Sequence, residues 1–487
     1  MTTRVGLDPF TPATEMIVAL RKKLVSAREL LDLHLARIER HNPALNAIIT
    51  PDFDNARKAA ERADQARTSG EDGPLLGLPL TIKDCIDCEG LPSTAGLAHR
   101  GEHRAECDSL LAARLKAAGA VLMGKTNIPP LASDWQSNNR LFGRSNNPWD
   151  LGRTPGGSTG GGAAALAAGL TPLEFGSDVG GSIRIPAAFC GLYGHRPSET
   201  VVPRSGHFPG SPLPNWGTAM SVMGPLARSA KDLELALDVI AGPEIGEEAA
   251  WRLELPPTRR ERLSDFRVAV LPAVDWLPLD AGVAAALEGV VDRLGGMGAS
   301  VGRAAPENLR DTRAHHRLYI SLLTVMMFRE VAGEAREELI AKLAAGRNEF
   351  DPVRVQAVRA GASEFLGWHA ERERHRAAYR DFFRDWDVLL APATMMPAFK
   401  HDAAPFNSRR MVVDGTEIAY DLHSFYPGLS TLAGQPATAF PVGLSAEGLP
   451  IGLQVIGPYL EDRTPIGFAA LMAREIGGFS PPPGFAD

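Results

Sequence analysis

Apolar residues along the chain switch between helical and strand periods, and the switches delimit the elements. Residues 11–41 read as helix: Pro12 suits a first helical position, and Ser26-Ala27-Arg28-Glu29 matches a capping box ahead of Leu30, Leu33 and Ile38. Residues 54–68 predict a second, solvated helix. After the Gly73-Pro74 break, Pro79-Leu80-Thr81-Ile82-Lys83-Asp84 reads as a short buried strand that ends in charge. Asp108 is a candidate cap for a helix reaching Ala118, and 120–123 reads as the next strand. Helices at 162–168, 229–241 and 281–294 then alternate with a strand at 266–271. The alternation predicts an α/β protein whose helices cover a sheet. Residues 309–385 depart from it as a long Arg/Glu/His-rich helical excursion, broken chiefly at Pro352, whose plain reading is a solvated layer. Strands return at 387–392, 437–442 and 451–456, so the sheet closes after the excursion.

Composition narrows the function classes. With 44% hydrophobic and 22% charged residues, 487 residues can bury a large core, and length alone allows two or three domains. A formal charge of -7 supplies no overall basic field, so neither nucleic acid nor an anionic membrane is an expected partner. No window approaches the roughly 18 consecutive apolar residues of a membrane span. The first ten residues carry no apolar stretch of signal-peptide type. Four cysteines, Cys85, Cys88, Cys107 and Cys190, are too few for a disulfide scaffold and fit a cytoplasmic location.

Three motifs fail on context. Gly119 to Thr126 spells a phosphate loop, but Ala120-Val121-Leu122-Met123 is an apolar strand where a loop is required. Cys85-Ile86-Asp87-Cys88 lacks a second Cys or His pair, and the histidines show no HExxH spacing, so neither a metal nor a cofactor is expected. Gly156-Gly157-Ser158-Thr159-Gly160 satisfies the nucleophile-elbow pattern, yet the preceding segment is polar and broken by Gly and Pro where a buried strand is needed.

The informative segment is Thr154-Pro155-Gly156-Gly157-Ser158-Thr159-Gly160-Gly161-Gly162, a small-residue helix, and then Gly176-Ser177-Asp178-Val179-Gly180-Gly181-Ser182-Ile183-Arg184-Ile185-Pro186. Two serines stand beside paired glycines, whose backbone can approach a ligand closely and turn several N–H groups toward one point. An oxyanion needs such a row of donors.

These residues, with Gly77-Leu78-Pro79-Leu80-Thr81-Ile82-Lys83-Asp84, Gly124-Lys125-Thr126-Asn127 and Gly448 to Gln454, resemble the amidase-signature serine hydrolases over nearly the whole chain. The resemblance implies one α/β domain over 1–487, a large mixed twisted sheet surrounded by helices, with the 309–385 excursion bordering the substrate pocket. It also implies Ser182 as nucleophile, Ser158 as a bridging serine on a cis peptide bond, and Lys83 as terminal base. Val179, Gly180, Gly181 and Ser182 would supply the oxyanion hole, with Gly157, Thr159, Asp178 and Arg184 in support. Chemistry points the same way: a serine hydroxyl needs an unprotonated neighbour, and a lysine amine, ordinarily near about 10.4, serves only if burial lowers it. Asp178 and Arg184 are expected to brace the loop by a charge-assisted bond.

The sequence departs from the family pattern at Thr159, Pro129-Pro130 and His195-Arg196, none of which removes a catalytic group. By resemblance the substrate is a small-molecule amide or carbamate. A Gly/Pro-rich stretch at 203–220 with Phe208, Leu213 and Trp216 suits an apolar one, and it resembles the branch that cleaves aryl amides and urethanes. Two alternatives stay open: the glutaminase (A) subunit of a tRNA-dependent glutamine amidotransferase, and an esterase-type or catalytically silent homologue. The sequence assigns no oligomeric state.

Overall fold

The computed structural model describes residues 6–208, 219–346 and 348–486. Its centre is an eleven-stranded mixed sheet. In spatial order the strands are Ile48–Pro51, Val121–Thr126, Pro79–Lys83, Leu173–Asp178, Val222–Ala227, Tyr193–Arg196, Ala437–Leu444, Pro450–Ile456, Val388–Pro392, Arg267–Val270 and Ser300–Arg303. Val121–Thr126, Pro79–Lys83 and Leu173–Asp178 run parallel, as do the last three, and the strands between pair antiparallel. Pro79–Lys83 and Leu173–Asp178 are buried on both faces, as expected for parallel strands covered by helices. Lys83 and Asp178 are the last residues of these neighbouring strands. They therefore emerge together at the carboxyl ends, where open α/β sheets place their ligands.

The helical expectation over 11–41 resolves into two helices, Ala13–Arg21 and Ala27–Leu45, because Lys23 takes a left-handed conformation between them. The Ser26/Glu29 capping box starts the second. Pro12 caps the first helix rather than standing inside it, and Ser109, not Asp108, caps Leu110–Ala117. The 309–385 stretch divides into Thr312–Phe328, Gly333–Ala344, Asp351–Arg359 and Ala362–Asp385, with Pro352 at the first turn of the third. Its solvated reading holds in part only: His315, His316, Tyr319 and Leu322 are buried in the first of these helices. The phosphate-loop letters lie in the strand Val121–Thr126, with Lys125 and Thr126 fully buried. Among the described residues, no helix is long and apolar enough to cross a membrane.

The helix Gly160–Ala167 lies beside Pro79–Lys83 and Leu173–Asp178, and it can do so because its first turn lacks side chains. A Cβ on Gly161 would fall 2.4 Å from Asn127 N and 2.8 Å from Ala47 O. The glycines thus trade helix propensity for close approach. Gly161→Ala is expected to lower stability by about 1–3 kcal/mol, because the obstructing atoms are backbone. Gly289→Ala, with nothing within 4 Å of the new methyl, should raise stability by about 0.5–1 kcal/mol. Thermal unfolding of the two variants tests both signs.

Candidate active site

Lys83 is fully buried, and its Nζ lies 2.7 Å from Ser158 Oγ and 3.0 Å from Ser177 Oγ. Burial pushes the amine below its ordinary value, against the opposing pull of the Asp178, Glu174 and Asp84 carboxylates. Ser158 is held at this distance by a folded-back loop whose Gly157–Ser158 peptide is cis. A Cβ on Gly157 would sit 2.3 Å from Asp134 O, so the loop presses directly on that backbone. Ser137 Oγ donates to Gly156 O and accepts from Gly160 N–H. Thr154 Oγ1 donates to Trp135 O, and Thr159 N–H donates to Ser182 O at 3.2 Å, tying the two serine loops together.

Ser182 is 7% exposed and stands between the strand Leu173–Asp178 and the helix Arg184–Cys190. Asp178 shapes this turn. Its carboxylate accepts N–H bonds from Gly181 (3.0 Å) and Ile183 (3.2 Å), and Arg184 grips it through Nε and Nη2 at 3.0 and 2.9 Å. The other Arg184 donors reach Pro427 O, Ser430 Oγ, Thr431 Oγ1 and Gln454 Oε1, so the guanidinium joins this turn to the Phe425–Ala433 helix and the strand Pro450–Ile456.

Three carbonyls of the turn are each held by a side chain from elsewhere. Arg196 Nη1 donates to Asp178 O at 3.2 Å, Tyr319 Oη to Val179 O at 2.8 Å, and Trp135 Nε1 to Gly180 O at 2.9 Å. In a trans peptide the following N–H points opposite to its carbonyl. These bonds therefore orient the amides of Val179, Gly180 and Gly181. The Gly181 N–H is committed to Asp178, whereas those of Val179, Gly180 and Ser182 have no partner among the described residues. Sequence reading missed Trp135, Tyr319, Ser177 and Glu174, and it treated Arg196 only as a departure from pattern. A bulky aromatic far along the chain carries no local mark of the carbonyl it will hold.

Thr159 packs its side chain over Gly176, and its Oγ1 is buried without a hydrogen-bond partner among the described residues. His195 is buried between Thr438 Oγ1 (2.9 Å) and Asp462 Oδ1 (3.1 Å), away from the serines. Burial pushes the Cys88 thiol up to about 11, and Cys85 also upward, so neither presents a thiolate. Among the described residues no three His, Cys, Asp or Glu side chains cluster as metal ligands. Phe208 packs on Cys85, Ala95 and Ile128, while Leu213 and Trp216 lie outside the described residues.

The Asp178 carboxyl makes the turn's stability depend on pH. Burial works against its charge, but the Arg184 guanidinium more than offsets this and holds the group at about 2. A depressed carboxyl contributes stability above its unfolded value, near about 3.9, and loses it as pH falls through the folded value. Unfolding free energy should therefore drop by about 2 kcal/mol between pH 4 and 2 on account of this group. In urea titrations Asp178→Asn should lack that part of the decline, and an unchanged decline would refute the assignment.

A family model described as Amidase matches residues 29–465. The A subunit of glutamyl-tRNA(Gln) amidotransferase from Synechococcus sp. (strain CC9605) is 34% identical over 462 residues, covering 90% of this chain and 91% of the relative. The 6-aminohexanoate-cyclic-dimer hydrolase of Paenarthrobacter ureafaciens is 32% identical over 486 residues, covering 93% and 92%. Among solved structures, a bacterial aryl acylamidase of the amidase signature family superposes with a TM-score of 0.80 at 25% identity, covering 96% of both chains. The mixed sheet, the wrapping helices and these matches converge: the chain belongs to the amidase-signature family of hydrolases that act on carbon–nitrogen bonds other than peptide bonds.

Proposed function

We propose that the protein hydrolyses the C–N bond of a small-molecule amide or carbamate through an acyl-enzyme on Ser182. The observation that carries this reading is the 2.7 Å approach of a buried Lys83 Nζ to Ser158 Oγ, with the Ser182 turn bonded to the same loop. A desolvated amine is unprotonated more of the time at neutral pH and can act as base. Ser158, able to donate and accept at once, passes its proton to Lys83 Nζ as it takes that of Ser182 Oγ. Ser182 Oγ then attacks the carbonyl carbon, and the tetrahedral oxygen is received by the N–H groups of Val179, Gly180 and Ser182. Gly181, whose N–H serves Asp178, keeps the turn in shape. Collapse of the intermediate breaks the C–N bond as the proton returns through Ser158 to the leaving nitrogen. Water repeats the attack on the acyl-enzyme and regenerates Ser182.

The finer substrate class in this proposal is an aryl amide or urethane. It is supported by the likeness to an aryl acylamidase. The glutaminase reading draws on the 34% identity to the amidotransferase relative. It would require ammonia release from glutamine that depends on partner proteins and ATP.

A panel of aryl acylamides, carbamates, primary amides and glutamine tests these readings together. Ser182→Ala should reduce kcat by about 10⁴-fold or more on the preferred substrate. Because the unprotonated amine is the active form, kcat/KM should rise with pH through the Lys83 titration and be lost on the acid side. A Ser182→Ala enzyme of near wild-type activity, or a maximum near pH 5, would overturn the mechanism.

A further inference from the structure

Behind Lys83 lies a carboxylate that the mechanism above does not use. Glu174 is fully buried in the strand Leu173–Asp178. Its Oε2 accepts the Thr81 hydroxyl at 2.6 Å and its Oε1 the Thr126 hydroxyl at 2.6 Å, one donor from the neighbouring parallel strand and one from the strand beyond it. The register pairs Thr81 with Glu174, which puts both side chains on one face of the sheet. Lys83, two residues beyond Thr81, emerges on the same face. The helix Gly160–Ala167 closes that face over the carboxylate, since a Cβ on Gly162 would lie 2.4 Å from Glu174 Cδ.

Two hydroxyls would be served equally well by a neutral acceptor, and a buried carboxylate is costly without a cation. Burial pushes the Glu174 carboxyl up to about 7, while the two threonine hydroxyls and Lys83 pull against that rise. Among the described residues the one cation acting electrostatically on it is Lys83. Two further carboxylates act on Lys83, each with contacts of its own. Asp178, from the same strand as Glu174, is bound by Arg184, and Asp84 accepts from Thr94 Oγ1 at 2.9 Å. Burial raises the Cys85 thiol and holds His207 at about 3, leaving both uncharged, while Lys125 Nζ donates to Pro92 O and Ser93 Oγ.

We infer that Glu174 is a positioning residue for the reaction: a buried counter-charge, shaped by Thr81 and Thr126, that stabilises the Lys83 ammonium formed when the serine relay delivers its proton. Alongside Asp178 and Asp84, its charge contributes to the pH range in which Lys83 works as a base. This rests on the Lys83–Ser158–Ser182 mechanism proposed above. During the cycle Lys83 gains and returns one proton. On the alkaline side, where the amine is active, Glu174 stays ionised throughout, so no proton is added to the balance.

The test is the pH profile of kcat/KM for wild type, Glu174→Gln and Glu174→Asp on the amide best cleaved by the wild type. Removing the negative charge lowers the Lys83 titration, so the acid limb of Glu174→Gln should move about one pH unit lower. Its plateau should fall because the amine is a weaker base. Glu174→Asp, which keeps the charge, should retain the wild-type limb. A Glu174→Gln enzyme that loses rate with its limb unmoved would overturn the proposal and leave Glu174 a packing group. Should Glu174→Gln fail to fold, Thr126→Val removes one of the two donors that hold the carboxylate ionised. Its limb should shift in the same direction, and an unmoved limb would again overturn the inference. A wild type inactive on every amide and carbamate fails the proposed function itself, whereas an active wild type with an unresponsive limb fails this inference alone.

Discussion

The Asp178–Arg184 pair is the contact on which the site depends. Neither side chain touches solvent, so both charges have lost their hydration and are held only by each other and by the groups around them. Such a pair adds little net stability over an apolar replacement, but removing one partner strands the other and typically costs about 3–5 kcal/mol. What it contributes here is shape. Asp178 turns the chain through the amides of Gly181 and Ile183, and Arg184 fastens that turn to residues that follow more than two hundred positions later. Ser182 lies inside the turn, so the placement of its hydroxyl follows from a charge pair that takes no part in bond making.

The two parallel strands make the second constraint. Because Pro79–Lys83 and Leu173–Asp178 run in the same direction side by side, the amine and the turn leave the sheet at the same edge. Burial on both faces then acts on Lys83 as chemistry, lowering the pKa of an amine that in water would remain protonated. Packing and reactivity are the same fact at this position. The helix Gly160–Ala167, stripped of side chains over its first turn, closes directly over Glu174.

Much of this was legible from the residues. Ser26 and Glu29 announced a helix start, the Pro79–Lys83 strand was readable from its apolar run ending in charge, and the glycine-serine segment declared a site before any fold was known. Other parts were not. The strand Leu173–Asp178 was hidden because Gly176 interrupts its pattern, and the interruption exists to receive the Thr159 side chain. Tyr193–Arg196 and Val222–Ala227 are short, antiparallel and fixed by long-range pairing rather than by period. Lys23 broke a helix that propensity would have continued. The side chains that orient the Ser182 turn are illegible in the sequence for one reason: Trp135, Arg196 and Tyr319 act through single bonds to backbone carbonyls, and such bonds leave no trace in spacing.

Those three bonds carry a meaning for how the site could be moved or copied. The Ser182 turn reads as a compact, portable motif of about a dozen residues, yet its peptide planes are set by an indole, a guanidinium and a phenol contributed by three separate stretches of chain. Cut out and grafted onto another strand-to-helix junction, the motif would keep its letters and lose its orientation. Engineering this activity into a new scaffold therefore means transplanting a surrounding shell of anchors rather than a loop.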